Sequence, residues 1–332
     1  MSRADRPIAP RPERRAVLAA GLGAACAVTL GACGIRFGDR APRPPAVPAR
    51  TPIPGEAFLL ALVHSSAQLS RQAAAVGGAR TGVPAQLASL HAQQVSVLEA
   101  ELLRLGVPQS LITSARSTGP TPSGSTTATA KPVSPGGAVS TSPADLAAAE
   151  AADATSTAFP LLARVDAPAR PLAAALTAQR WAAANLLGTP RPLTAPAWKA
   201  AALASSFLDS TRAAIYGLQV VAAQSSPGAQ ATLARVTLAG LQARAQLQEG
   251  LAGASAGPSP LGYPLPFPVT TPAAAQLLAV HVLTELRATN ARDLGAAADA
   301  AGPLESAVGW LADTEVLAAR WGVRLSAFPG LK

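Results

Sequence analysis

The sequence predicts an all-α protein: two tandem four-helix bundles placed after a signal peptide and a Pro-rich tether. Three observations carry this. Ala and Leu, the strongest helix formers, dominate a chain of 332 residues with only 4% aromatics. Apolar residues recur at helical spacing from Glu56 onward. Gly and Pro interrupt that spacing at intervals suited to helix ends and connections.

The first 32 residues read as a signal peptide. Arg11, Arg14 and Arg15 form a positive front end, and Ala16 to Leu30 is an uncharged apolar run of 15 residues. About 20 are needed to span a bilayer, so the run suits a cleaved signal better than an anchor. Leu30-Gly31-Ala32-Cys33 fits a bacterial lipobox, in which the cysteine becomes the new N-terminus and takes the acyl chains. Stable anchoring needs two chains, which a diacylated cysteine supplies. Cys26 sits inside the apolar run and is expected to leave with the signal, so the mature chain keeps no free thiol, disulfide or cysteine metal site. Arg14-Arg15 also suits twin-arginine export, although Val17 stands where that route prefers an aromatic. The general and twin-arginine routes both stay open.

The net charge of +9 is not a nucleic-acid signature. Residues 1–32 carry five Arg against two acids, and residues 33–54 carry four Arg against one Asp. The remainder is left with a net +3 and shows no basic cluster interleaved with aromatics, so no nucleic-acid partner is expected. The six prolines of residues 34–54 make an extended tether, placing the body near a membrane surface whose anionic head groups its arginines can meet.

The N-terminal bundle is expected over 55–188. Its first helix runs from Glu56 to about Gly77, and its second from Pro84, a residue suited to a first turn, to Gly106. Residues 114–143 are rich in Ser, Thr, Pro and Gly and predict a disordered crossover. A third helix is expected from Pro143 to about Val165 with Ser142 as its cap, and a fourth from Pro168 to Gly188. Residues 189–196 contain three prolines and mark a boundary. The C-terminal bundle, over 196–325, repeats the order. Helices are expected at 197–225 and 228–252, then a Pro-rich crossover at 253–271, then helices at 272–300 and 303–321. One long central crossover between two helical hairpins is the ferritin-like arrangement.

Leu203, Phe207, Thr211, Ala214, Leu218 and Val221 make one stripe on the fifth helix. The expected partners on the sixth are Leu233, Val236, Leu247 and Leu251, with Gly240 and Ala243 allowing close approach. A hairpin about residue 226 would bring Asp209 level with Arg244 as an ion pair. The seventh helix carries two stripes. Leu277, Val280, Thr284, Ala288 and Ala291 form one; Leu278, Val282 and Leu286 form the other, expected to pack on the N-terminal bundle or a second subunit.

Four segments carry a resemblance: Arg212-Ala213-Ala214-Ile215-Tyr216-Gly217, Tyr263-Pro264-Leu265-Pro266-Phe267-Pro268-Val269-Thr270, Thr271-Pro272-Ala273-Ala274-Ala275 and Ala319-Arg320-Trp321. Over about 197–325 the chain resembles the ferritin-like domain of unknown function found at the C-terminus of exported lipoproteins of high-GC Gram-positive bacteria. The resemblance implies a four-helix bundle and no established activity. The family pattern has Glu-His just before the Ala-Ala-aliphatic-Tyr run, where this chain has Thr211 and Arg212. Thr211 lies on the apolar stripe, where its hydroxyl can bond a carbonyl one turn back and offers no metal ligand.

Catalytic chemistry has little to rest on. A di-iron bundle needs Glu-x-x-His on two helices, and no Asp or Glu here has His three residues later. His64 and His91 fall on neighbouring helices about six residues out of level. His281 and Glu285 are four apart on one helix, and Glu315 is expected near Glu285 across the last hairpin. These three are the weak metal candidates, and two carboxylates could also serve acid–base work. No nucleophile elbow, phosphate loop or dinucleotide fingerprint occurs. Tyr263 and Phe267 are expected to pin the crossover to the bundle. Trp310 and Trp321 share one face of the last helix and read as packing.

The sequence therefore points to an exported, lipid-anchored, non-enzymatic module on the extracytoplasmic face of the cell membrane, with no cofactor and an unidentified protein or cell-wall partner. The alternatives are a ferritin-like metal or redox protein with a non-standard carboxylate site, and a carrier of an apolar ligand.

Overall fold

Helix-start and helix-stop chemistry sets the elements. A computed structural model describes residues 50–76, 82–118, 142–152, 157–191, 196–297 and 300–331. Arg14, Arg15, Cys26, Cys33 and most of the tether lie outside the described residues, as does 119–141 of the crossover. The helices are α1 (Glu56–Ala75), α2 (Val83–Arg104), α3 (Gln109–Thr118), α4 (Pro143–Ala152), α5 (Ala158–Leu162) and α6 (Arg170–Leu186) in the first half. The second half has α7 (Ala201–Gln224), α8 (Ala229–Ala252), α9 (Pro272–Asp293) and α10 (Ala301–Arg320), with a 3₁₀ turn at Gly253–Ser255 after α8. No strand occurs among the described residues.

At the start of α4 the Ser142 hydroxyl accepts from the Asp145 N–H at 3.1 Å, and the Asp145 carboxylate accepts from the Ser142 N–H at 3.0 Å and hydroxyl at 2.7 Å. This reciprocal capping box confirms Ser142 as the cap. Its two bonds hold the Asp145 carboxyl below the usual range. At α9 the Thr271 hydroxyl accepts from the Ala274 N–H at 3.1 Å, and Pro272 needs no such partner. Gly106 and Gly322 end α2 and α10 with positive φ. That turn lets the Val107 N–H reach the Leu102 carbonyl at 2.9 Å and the Val323 N–H reach the Ala318 carbonyl at 3.0 Å.

Three stretches differ from expectation, one of them the seventh helix, which was expected to reach 300 and ends at Asp293. The third helix, expected over 143–165, is α4 and the short α5, with 153–156 outside the described residues. The α3 helix was not expected, and it carries helix through residues 114–118 of the crossover. Ile112 and Ala115 bury against the rest of the first half, and that burial outweighs the poor helix propensity of its Ser and Thr.

In the first half α1 packs on α2 and α4, and α6 packs on the same two, which closes a ring. In the second half α7 packs on α8 and α9, and α9 packs on α10. The fourth side stays open, because α8 and α10 do not pack closely. Instead α10 turns its apolar side to α6. Leu304, Ala307, Val308 and Leu311 thus join Leu59, Phe159 and Leu176 in one core, completed by Phe207 and by Phe328 of the C-terminal segment. Residues 52–332 form one compact unit, and the halves share a core. The Gln94 side-chain amide donates to the Ala327 carbonyl at 2.9 Å, tying α2 to the far end of the chain.

The fifth-helix stripe is buried as read, apart from half-buried Leu203. Of the sixth-helix partners, Leu233 and Leu251 are half-buried and pack against α7's clusters, whereas Val236 and Leu247 are exposed, and the fully buried face is Ala234, Thr237, Leu241, Arg244, Gln248 and Ala252. On the seventh helix Leu278 and Leu286 are buried within the second half's own cluster, and Val282 lies against Gly217 of α7. That stripe therefore meets α7, not another bundle or subunit.

Candidate ligand groove

The open side of the second half is a groove of about 580 Å³ between α8 and α10. Gly240, Ala243, Arg244 and Leu247 form one wall. Glu305, Ser306, Trp310, Asp313, Val316 and Leu317 form the other, with Arg320 at the exposed edge. Arg191 and Trp198, from the segment joining the halves, close one end. The volume falls within the range of small-molecule sites, and a mostly apolar wall with a few convergent polar groups is their usual character.

Trp198 and Trp310 are fixed by local contacts. The Trp198 indole N–H donates to the Ser306 hydroxyl at 2.8 Å, and its ring lies 6.2 Å from that of Trp310. Phe207 meets Trp310 edge-on at 4.9 Å from behind. The aromatic floor is therefore rigid.

Arg244 is the unusual residue. It is 6% exposed, yet it stands on a groove wall. Its Nη1 donates to the Thr314 hydroxyl at 2.8 Å. That hydroxyl donates to the Trp310 carbonyl at 2.7 Å and also accepts from the Asn290 amide at 3.2 Å, so its capacity is used. The nearest carboxylate oxygen, on Asp313, is 3.9 Å away. Burial pulls the guanidinium pKa down; Asp313 opposes this and Arg191 adds to it. Asp209, the expected partner, is exposed, and Arg244 turns to α10 instead. Arg191 lies over the Trp181 ring with its guanidinium carbon 4.5 Å from the centroid.

A second hollow of about 290 Å³ lies under the crossover and is lined by Tyr216, Tyr263, His281 and Glu285. Tyr263 contacts Tyr216 at 5.7 Å and Phe267 contacts His281 at 6.5 Å, which pins the crossover as expected. Burial and nearby Asp209 raise the Tyr263 phenol pKa.

The weak metal candidates part company. His281 and Glu285 are exposed on this hollow, whereas Glu315 is buried, takes Arg287 at 2.9 Å and accepts from the Ser326 N–H at 2.8 Å. Among the described residues no group of three or more His, Cys, Asp or Glu is placed to hold a metal ion. Thr211 is fully buried and bonds the Phe207 carbonyl at 2.9 Å, as its position on the stripe required. Arg212 binds the Ala256 and Gly257 carbonyls and Glu249, so it fastens the end of α8 to the crossover.

One polar cluster lay beyond sequence reasoning. His91 is fully buried in the first half, with Nε2 2.7 Å from Glu150 and Nδ1 2.8 Å from Gln94. Gln94 also donates to Gln179 at 2.9 Å. His64 bonds separately to the Ala115 carbonyl at 3.0 Å. The His91 cluster opens on neither hollow.

The fold and groove define a class: an all-helical protein with a ligand-sized slot beside a shared core. Residues 202–332 match a family described as a domain of unknown function (DUF4439). No curated protein and no solved structure matches the chain. The matched segment supplies both long walls of the groove, while Arg191 and Trp198 come from outside it. No described helix is long and apolar enough to cross a membrane.

Proposed function

We propose that this chain is an exported, lipid-anchored, non-enzymatic binding module on the extracytoplasmic face of the cell membrane, and that the α8–α10 groove is its binding element. The groove carries the binding part: an open slot of about 580 Å³ with a rigid aromatic floor and one buried cation. The lipobox ending at Cys33 and the prolines after it support the anchor and tether. The two halves are read as ferritin-like bundles in tandem. The closed ring of α1, α2, α6 and α4 supports that reading for the first half; for the second, where the α8–α10 side is open, the order of two helical hairpins about a long crossover supports it.

Two measurements on protein purified from its own cells test this. Mass spectrometry should find Cys33 as a diacylated N-terminus, and an unmodified Cys33 within an uncleaved chain would overturn the anchor. Native mass spectrometry should find a small molecule that is released when Leu247 is changed to Trp to fill the groove. Stoichiometric iron, manganese or zinc would instead favour the metal-holding alternative.

A further inference from the structure

We infer that the groove's ligand is an amphiphile bearing a single carboxylate, with the head at Arg244 and the apolar chain along Trp198, Trp310 and Leu247. The inference rests on the binding role proposed for the groove and names the ligand class. A guanidinium has five N–H donors, and among the described residues Arg244 donates one hydrogen bond, to Thr314. It is nine-tenths buried on a cavity wall, and the carboxylate paired with it, on Asp313, stands 3.9 Å away, beyond hydrogen-bond distance. A second cation, Arg191, lies along the same cavity. Two cations facing one slot repel each other, and an anion between them relieves both desolvation and repulsion.

The charge count selects the anion. Three arginines line the groove, Arg191, Arg244 and Arg320, against the two acids Glu305 and Asp313. The balance of one positive charge suits a monoanion, and the acids would repel a dianion. A planar guanidinium fork matches a carboxylate in two-point contact. The remaining wall of Leu247, Val316, Leu317 and two indoles suits a hydrocarbon, not a sugar.

The test titrates the purified full chain with dodecanoate, 1-dodecanol and dodecyl phosphate below their aggregation concentrations, reading tryptophan fluorescence and calorimetry. Dodecanoate should bind about tenfold or more tightly than dodecanol, which is the scale of a hydrogen bond to a charged group. Arg244→Gln should erase that margin and leave dodecanol binding in place. Leu247 is 41% exposed, so its variants keep the fold. Leu247→Glu should weaken dodecanoate by repulsion, and Leu247→Lys should hold or strengthen it. Equal binding of dodecanoate and dodecanol would overturn the anionic ligand and leave the groove's binding role standing. Tighter binding of dodecyl phosphate than of dodecanoate would overturn the carboxylate. No binding by any probe would overturn both this inference and the role it rests on.

Discussion

The guanidinium of Arg191 lies against the bare backbone of Gly309, where any Cβ would collide with it. Glycine on α10 thus makes the berth in which Arg191 sits between a helix and the Trp181 ring. Gly309→Ala is expected to displace the guanidinium at little cost in stability. The colliding atoms are the free end of a long side chain and can swing away. The lost cation–π contact costs about 0.5–2 kcal/mol, and replacing helical glycine by alanine returns about 1 kcal/mol. The midpoint of urea unfolding should therefore shift little. Affinity for dodecanoate should fall, because one of the groove's three arginines has left its place.

His91 and Glu150 form a pair with no access to water. Removing one partner strands the other, so His91→Ala or Glu150→Ala should each cost about 3–5 kcal/mol. Replacing both by leucine should recover most of the loss, since apolar substitutes of fitting volume need no partner. Chemical denaturation of the two single variants and the double variant measures this. A single-variant loss below about 1 kcal/mol would show that the buried polar groups find other partners.

The contrast between α7 and α8 shows how much was legible. On α7 the buried positions are apolar or small, and the stripe from Phe207 to Val221 could be read directly. On α8 the buried face includes Thr237, Arg244 and Gln248, while Val236 and Leu247 point outward. Hydrophobic periodicity marks the wrong side of such a helix, and the reversal occurs where the groove lies. The His91–Glu150 pair was hidden for another reason: its members are 59 positions apart across the Ser/Thr-rich crossover. Helix ends at Ser142, Pro272 and Gly106 were legible because these residues act within one turn. The role of α10 in joining the halves was not, because a helix buried on two sides looks the same whichever partner takes each side.

Glu315 gives the unfolding curve a pH signature. Burial pushes its carboxyl above the usual glutamate range, and Arg287 and the Ser326 N–H oppose this without cancelling it. The folded state then holds the proton to a higher pH than the unfolded chain does. Its contribution to stability is complete below the ordinary value of about 4.3 and is lost as pH rises through the folded value. Asp293, raised by burial, acts with the same sign. Glu315→Gln removes one titrating group, so its melting temperature should decline less than the wild type's as pH rises from about 4 to about 7. Melting curves at half-unit intervals check this, and parallel declines would contradict it.

Gly217 provides the converse of Gly309. A Cβ at Gly217 would stand 2.7 Å from a γ-methyl of Val282 on α9. Here the colliding group cannot swing away, because a β-branched side chain in a helix is confined almost entirely to one rotamer. Gly217→Ala must then push α7 and α9 apart along the line where Leu218, Leu278 and Leu286 are buried. Overpacking of this kind costs about 1–3 kcal/mol, which exceeds the roughly 1 kcal/mol gained from helix propensity at the upper end of its range. The decisive measurement is a double-mutant cycle. Val282→Ala alone should destabilise by opening a small void, and in the Gly217→Ala background it should instead restore stability, because the new methyl fills the space that valine vacates. Additive losses in the cycle would mean that α7 and α9 do not meet at these two residues.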